Sequence, residues 1–370
     1  MRVVLSGGGT AGHINPALAL AEVLAEHGHE VFFAGTPQGV EARLVREAGI
    51  PFSAFEAAGF NRNHPASIFK AVLKILKSTG AAKKWFADIK PDVVVGFGGY
   101  VCIPVGRAAE SMGIPVVVHE QNSVMGMANK YLGKRAAAVA LTYEVAGEPI
   151  ADKSKLVVTG NPVRRSVLSS TREESRRELG IPQDALMLLV FGGSLGARHI
   201  NTAVCGLKER LLSVENLHVM HVTGPKELET VQAALALTDE EAQRWEVMGY
   251  QDRMGQAMAA CDMVVSRAGA TSLAEISARR IPALLVPFPY ATEDHQTTNA
   301  RSYVARGAAS MIADAKVESP EFERLLFEMV EHPEVRARMR DAAATFKTED
   351  AAGKLAEVVE AAARGAKPLQ

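Results

Sequence analysis

A pattern that occurs twice limits what this chain can fold into. A short apolar strand, Met1 to Leu5, runs into Ser6-Gly7-Gly8-Gly9-Thr10-Ala11-Gly12-His13 and then into a helix expected from Asn15-Pro16 to about His27. In the second half, apolar Leu186 to Phe191 runs into Gly192-Gly193-Ser194-Leu195-Gly196-Ala197 and a helix from about His199. Side by side, GGGTAGHINPAL and GGSLGARHINTAV are alike. An apolar strand feeding a glycine loop and a helix opens a parallel βαβ unit. Two such openings predict an α/β protein with two Rossmann-like parallel-sheet domains facing across a cleft. Gly160-Asn161-Pro162-Val163-Arg164-Arg165 breaks structure between them. The expected division is 1–163, 164–345 and a final helical segment, 346–370, packing back across the boundary. A chain of 370 residues is long enough for two cores.

The spacing of Gly7, Gly9 and Gly12 fits G-x-G-x-x-G. That fingerprint wants an acid at the end of the second strand to hold a ribose, and Ala34-Gly35-Thr36 supplies none. What remains is a loop whose backbone can approach an anion, with His13 beside it as the candidate base. A titratable group next to a glycine loop is a common active-site arrangement. A second glycine loop, Gly96-Phe97-Gly98-Gly99-Tyr100, follows the strand from Asp92. His119-Glu120-Gln121-Asn122 ends the strand from Pro115, where open α/β sheets bind ligands. Asn122 can hydrogen-bond a sugar hydroxyl there or serve only as a turn residue.

Residues 262–300 carry the clearest ligand signal. A strand over Met263 to Val265 precedes a loop of small residues, Arg267 to Thr271, and a helix with Glu275 expected in its first turn. Strand, loop and helix N-terminus make an anion site. A carboxylate there cannot serve phosphate, but it can accept from a sugar diol, so the stretch reads as a nucleotide-sugar pocket.

Composition excludes other classes. Net charge is −1, which argues against nucleic acid as a partner. Cys102, Cys205 and Cys261 have no metal spacing and sit in apolar or small-residue contexts, as expected of buried thiols in a reducing compartment. The chain enters a strand at once, so no signal peptide is expected, and no apolar run is long enough for a membrane span. Residues 68–86 are different. Ile68, Phe69, Val72, Leu73, Ile75 and Leu76 fill one arc of a helix, flanked by Lys70, Lys74 and Lys77 and followed by Trp85 and Phe86. Such a helix can lie on an anionic membrane or pack on its own sheet.

The motifs GGGTAGH, GFGGY with HEQN, GNPVR, GGSLGA, SRAGATSLAE and PFPYATEDHQTTNA, in this order, resemble the MurG family. These are the bacterial N-acetylglucosaminyltransferases of the lipid-linked stage of peptidoglycan synthesis. The resemblance spans Met1 to about Ala308. It implies a GT-B fold, UDP-N-acetylglucosamine (UDP-GlcNAc) as donor bound by the C-terminal domain, and lipid I as acceptor on the N-terminal domain. Lipid I is undecaprenyl-pyrophosphoryl-MurNAc-pentapeptide, and the product would be lipid II. Residue by residue, it implies donor contacts from Thr10, Ala11 and Gly12, and a sugar contact from Asn122. Arg164 and Ser194 would lie by the pyrophosphate and Gln251 near the uracil. Ala270, Thr271, Ser272, Leu273, Ala274 and Glu275 would hold the nucleotide, with Glu275 on the ribose, and Gln296 would contact the sugar. Two departures stand out: Ala11 where the family often has glycine, tolerable if its φ stays negative, and Gln251 where it is often apolar. The resemblance turns the arc at residues 68–86 into the expected membrane-facing patch. The protein would then be peripheral on the cytoplasmic side of the cell membrane, with cell-wall and division proteins as candidate partners.

The expected chemistry is inverting transfer. The acceptor C4 hydroxyl attacks the anomeric carbon, UDP leaves, and His13 takes the proton, with Glu120 or a water as the alternative base. No acidic pair with metal-like spacing is evident at the nucleotide, so neither metal nor cofactor is expected in the reaction. Three rival readings stand beside this one: a GT-B enzyme with another acceptor, a UDP-GlcNAc epimerase, and a silent nucleotide-sugar-binding partner.

Overall fold

The computed structural model describes residues 1–57, 65–193, 196–346 and 350–366, with side chains of residues 65–71 excepted. Ser194 and the side chains of Ile68, Phe69 and Lys70 therefore lie outside the described residues. The chain forms two compact units: Met1–Arg164 together with Thr348–Gln370, and Arg165–Lys347.

The first unit is built on seven parallel strands, β1 (Arg2–Ser6), β2 (Glu30–Gly35), β3 (Phe52–Ala54), β4 (Val93–Gly96), β5 (Val116–Glu120), β6 (Ala138–Leu141) and β7 (Leu156–Val158). Their order is β3-β2-β1-β4-β5-β6-β7. The second has β8 (Leu186–Phe191), β9 (Leu217–Val222), β10 (Trp245–Met248), β11 (Met263–Ser266), β12 (Ala283–Leu285) and β13 (Ala309–Met311), in the order β10-β9-β8-β11-β12-β13. All recorded strand pairs are parallel. Near-continuous apolar strands such as Val93–Gly96 follow from burial on both faces.

In each sheet the order reverses beside the first strand, between β1 and β4 and between β8 and β11. Ligands of open α/β sheets bind at such switch points, outside the carboxyl ends of the strands. Register brings the loops together there: Ser6 pairs with Gly96, and Ser266 with Phe191.

The helix after β1 spans Ala11–Glu26, so it begins four residues before the expected Asn15 and holds Pro16 inside rather than in its opening. Pro16 is buried, so its ring packs in the core while one helical hydrogen bond is forgone. The last helix, Ala351–Ala363, belongs to the first unit. Its Leu355, Ala356 and Val359 share a core with Leu18, Leu24 and Val95.

Candidate active site

At the first switch point two glycine loops meet backbone to backbone. Gly8 N–H donates to the Gly98 carbonyl at 3.3 Å. Gly99 has φ 84°, and a Cβ on it would stand 2.5 Å from the Gly8 oxygen, so only glycine permits this approach. The Cys102 thiol spans the same junction, donating to the carbonyls of Ser6 and Gly98 at 3.1 and 3.0 Å. Burial pushes that thiol up to about 11, so it stays protonated and serves as a donor.

His13 is the third residue of the Ala11–Glu26 helix. Its Nδ1 lies 2.8 Å from the Gly8 carbonyl. A carbonyl only accepts, so Nδ1 carries a proton, and in the neutral ring Nε2 holds the lone pair. Nε2 points at the second glycine loop, where a Cβ on Gly98 would lie 3.0 Å away. The half-buried ring is thus held with its acceptor lone pair at Nε2. Thr10 is exposed before the helix; Ala11 and Gly12 are half-buried in its first turn. Ala11 is not among the positive-φ residues, which meets the condition its methyl sets.

Glu120, the alternative base, is buried and already engaged. It accepts from Asn122 N–H at 3.0 Å, Asn122 Nδ2 at 3.3 Å, Gly126 N–H at 3.0 Å and Asn129 Nδ2 at 2.8 Å. It shapes the loop that presents half-buried Asn122. Beneath it, His119 Nε2 donates to the Gly160 carbonyl at 3.0 Å, and Nδ1 accepts from Gln121 Nε2 at 3.0 Å. Burial lowers His119 to about 4, so it is a neutral strut.

Glu41 was not singled out in the sequence, yet its fully buried carboxylate reaches this loop. Oε1 accepts from Thr36 N–H at 2.9 Å and Thr36 Oγ1 at 2.6 Å, and Oε2 faces Gly9 N–H at 3.4 Å. The Gly9 amide that a dinucleotide phosphate would seek has a carboxylate of the same chain as its partner. The local signal is Thr36, five residues earlier, at the place where the dinucleotide fingerprint wants its ribose acid.

In the second unit the helix after β11 spans Ala270–Ala278, with Gly269 as its N-cap. No acid lies in its first turn, so the expected placement of Glu275 is corrected: it sits in the second turn, half-buried. Helical side chains lean toward the N-terminus, which still aims Glu275 back along the helix toward its opening. Thr271 and Ser272 are half-buried at the start, while Ala270, Leu273 and Ala274 are buried. Leu273 N–H is bonded to the Gly269 carbonyl at 2.9 Å, so Leu273 shapes the turn.

Gln296 ties this loop to the next. Its Oε1 accepts from Ala268 N–H at 3.1 Å and Phe288 N–H at 2.9 Å, and its Nε2 donates to no described residue. Sequence reasoning missed the anchor below it. Arg267 Nη1 donates to the carbonyls of Val286 and Pro287, both at 3.2 Å, and to Asp314 Oδ1. Asp314 Oδ2 takes His199 Nδ1 at 2.6 Å. One buried ion pair thereby fixes the ends of β11, β12 and β13 relative to each other. Across the switch point, Gly196 has φ 79°, and a Cβ there would stand 2.1 Å from the Thr223 oxygen. Asn201 braces that contact by donating to Thr223 O at 2.9 Å and accepting from His221 Nε2 at 3.0 Å.

Two expected contacts are engaged within the chain. Arg164 Nε donates to Glu22 Oε1 at 3.2 Å. Gln251 Oε1 accepts from Arg253 N–H at 3.0 Å, while its Nε2 lies against the sulfurs of Met220 and Met248 at 3.7 and 3.5 Å.

The helix Pro65–Ile89 carries the expected membrane-facing residues. Val72, Leu73 and Leu76 are exposed at 42, 50 and 63%, with exposed Lys74 and Lys77 among them and Ile75 half-buried. Phe86 is corrected: at 1% exposure it belongs to the core. Trp85 is half-buried against Phe32, Phe55 and Phe86. Trp85 comes half a turn round the helix from Leu76, and Phe86, ten residues past Leu76, lies where the helix packs on the sheet's core. Among the described residues no helix is long and apolar enough to cross a membrane.

Comparison with known proteins gives this architecture its class. Residues 3–141 match the glycosyltransferase family 28 N-terminal domain, and residues 187–355 its C-terminal domain. With two parallel-sheet domains, each with its own switch point, this defines a GT-B glycosyltransferase of family 28. A relative from Halothermothrix orenii is 38% identical over 99% of this chain and 100% of its own. One from Bacillus subtilis is 38% identical over 97% and 99%. Both are named UDP-N-acetylglucosamine–N-acetylmuramyl-(pentapeptide) pyrophosphoryl-undecaprenol N-acetylglucosamine transferase, and the chain belongs to that family, the MurG family. The crystal structure of Acinetobacter baumannii MurG superposes with TM-score 0.75 at 30% identity, over 97% of this chain and 99% of that one. A Neisseria meningitidis UDP-GlcNAc 2-epimerase, at 15% identity and TM-score 0.67, shares the fold.

Proposed function

We propose that this chain transfers N-acetylglucosamine from UDP-GlcNAc to the C4 hydroxyl of the muramoyl sugar of lipid I, with inversion, giving lipid II and UDP. The observation that carries this reading is near-full-length similarity, through both domains, to relatives named for that transfer. His13 Nε2 takes the proton of the attacking hydroxyl, which its Nδ1–H bond to Gly8 supports. The opening of the Ala270–Ala278 helix faces the leaving diphosphate, since its first N–H groups lack a carbonyl one turn back. Arg164 and Ser194 are assigned to the pyrophosphate. Glu275 takes the ribose, Gln296 Nε2 and Asn122 the sugar. Gln251 lies near the uracil and acts through its backbone, as its side chain is engaged. No metal or cofactor takes part in this scheme.

The protein binds an anionic membrane peripherally, from the cytoplasmic side, through Val72, Leu73 and Leu76 with Lys74 and Lys77. The exposed stripe supports this reading. Cell-wall and division proteins are its candidate partners.

The test is UDP release from UDP-GlcNAc with and without a soluble lipid I analogue, in EDTA. Release that requires the analogue and survives EDTA supports the reading. Release without the analogue would make the chain an epimerase or hydrolase, and release that EDTA abolishes would overturn the metal-free scheme.

A further inference from the structure

We propose that His27, His29 and Glu360 form a binding site for a divalent transition-metal ion of the zinc type. One donor atom from each, His27 Nδ1, His29 Nε2 and a Glu360 oxygen, lies within 4.8 Å of the others. Glu360 Oε1 stands 2.7 Å from His27 Nδ1 and 3.1 Å from His29 Nε2. Two imidazole nitrogens and one carboxylate are a donor set that Zn2+ accepts, with a fourth position left to water. Metal bonds of about 2.0–2.2 Å place tetrahedral ligands roughly 3.3 Å apart, so each histidine–glutamate distance needs to open by a few tenths of an ångström, and the two ring nitrogens, within 4.8 Å of each other, to settle at the same spacing.

The backbone holds the two histidines in place before any ion arrives. The helix Ala11–Glu26 ends with His27 as C-cap, and Gly28, at φ 78°, makes the left-handed turn. Gly28 N–H donates to Ala25 O at 3.0 Å, and His29 N–H to Leu24 O at 2.9 Å. That pair of bonds is the Schellman closure, and it sets residues 27 and 29 on either side of one turn. Glu360 comes from the Ala351–Ala363 helix, whose apolar face is buried in the same core as Leu24. Arg364 lies 3.9 Å from Glu360 Oε2 and leaves Oε1 to the rings. Both rings now direct a proton at Oε1. Metal binding moves each proton to the other ring nitrogen; for His29 that is Nδ1, which faces the Met1 ammonium at 3.4 Å, so the N-terminal amine turns away or gives up a proton as the ion binds.

The site lies just before β2, whose first residue is Glu30, and so at the amino edge of a parallel sheet whose glycine loops are at the carboxyl edge. Its ion would clamp the last helix to the first unit rather than take part in transfer.

The test uses the full chain, stripped with chelator, and Zn2+ alone. Calorimetric titration of the wild type, His27→Gln and Glu360→Gln is paired with Co2+ absorption spectra. Glu334→Gln, at the exposed His332–Glu334 pair, is the control. We expect one site in wild type and control, weakened at least about tenfold in each ligand variant, with tetrahedral Co2+ bands lost in both. Zn2+ should also raise the melting temperature of the wild type and not of Glu360→Gln. Equal affinity in wild type and ligand variants, or no binding by the wild type, would overturn the site.

Discussion

Two side chains at the first switch point do different work, and substitution separates them. Replacing His13 with alanine removes the acceptor at Nε2. Turnover should fall about a hundredfold or more, while UDP-GlcNAc affinity is retained. Analogue-dependent UDP release beside donor binding checks this, and unchanged turnover would remove His13 from the reaction. Glu41→Ala should instead cost stability, about 3 kcal/mol, because Thr36 and Gly9 donors lose a buried carboxylate. Glu41→Gln, which keeps an acceptor oxygen, should cost less; urea denaturation gives both values. His13 was legible because a titratable group beside a glycine loop needs no tertiary knowledge. Glu41 was not: on a short helix, Val40–Glu47, it reads as a solvated charge, and only the fold turns it inward. Arg267 and Asp314 escaped for a related reason. They are 47 residues apart, and nothing local announces their pairing.

At the scale of elements, each glycine loop has a position that a methyl cannot share. Gly99→Ala drives a Cβ into the Gly8 carbonyl, and Gly196→Ala into that of Thr223. Each should cost about 2 kcal/mol or more. Gly269→Ala is the contrast: its φ is −65° and nothing lies within 4 Å of an added Cβ, so it should cost only the fraction of a kcal/mol, about 0.5, by which alanine is the poorer N-cap. Denaturation midpoints of the three variants decide the matter. The repeated strand–loop–helix was readable because apolar runs and glycine loops are local signals. Ala138–Leu141 and Ala309–Met311 were not, since they are too short to show a period and no glycine loop follows them. The wheel grouped Val72, Leu73 and Leu76, which are exposed together, but it did not extend to Trp85 and Phe86, where the helix turns its aromatics onto the sheet. Leu73→Asp with Leu76→Asp should abolish sedimentation with anionic vesicles, and raised salt should weaken wild-type binding. Vesicle binding unaltered by both would move the membrane contact elsewhere.

At the scale of the molecule, each domain contains one buried histidine whose ring burial holds near 4: His119 in the first and His221 in the second. The unfolded rings titrate near 6.5, so between pH 6.5 and 4 the unfolded chain binds protons that the folded one refuses. Stability is therefore full above that window and falls as pH drops through it, by up to about 3 kcal/mol per ring. Urea midpoints at pH 7.5 and pH 5 check this, and a flat profile would defeat it. The division of the chain bears also on the order in which a ribosome can deliver a finished domain. Residues 165–347 hold every strand and helix of the second unit in one uninterrupted run, so its core needs nothing from the C-terminal helix. The first unit is synthesised first and completed last. Leu355, Ala356 and Val359 line its core, so the nascent domain waits with that face uncovered until its neighbour is already made. A chain that ends at residue 346 should therefore display a protease-resistant second domain and a protease-sensitive first one.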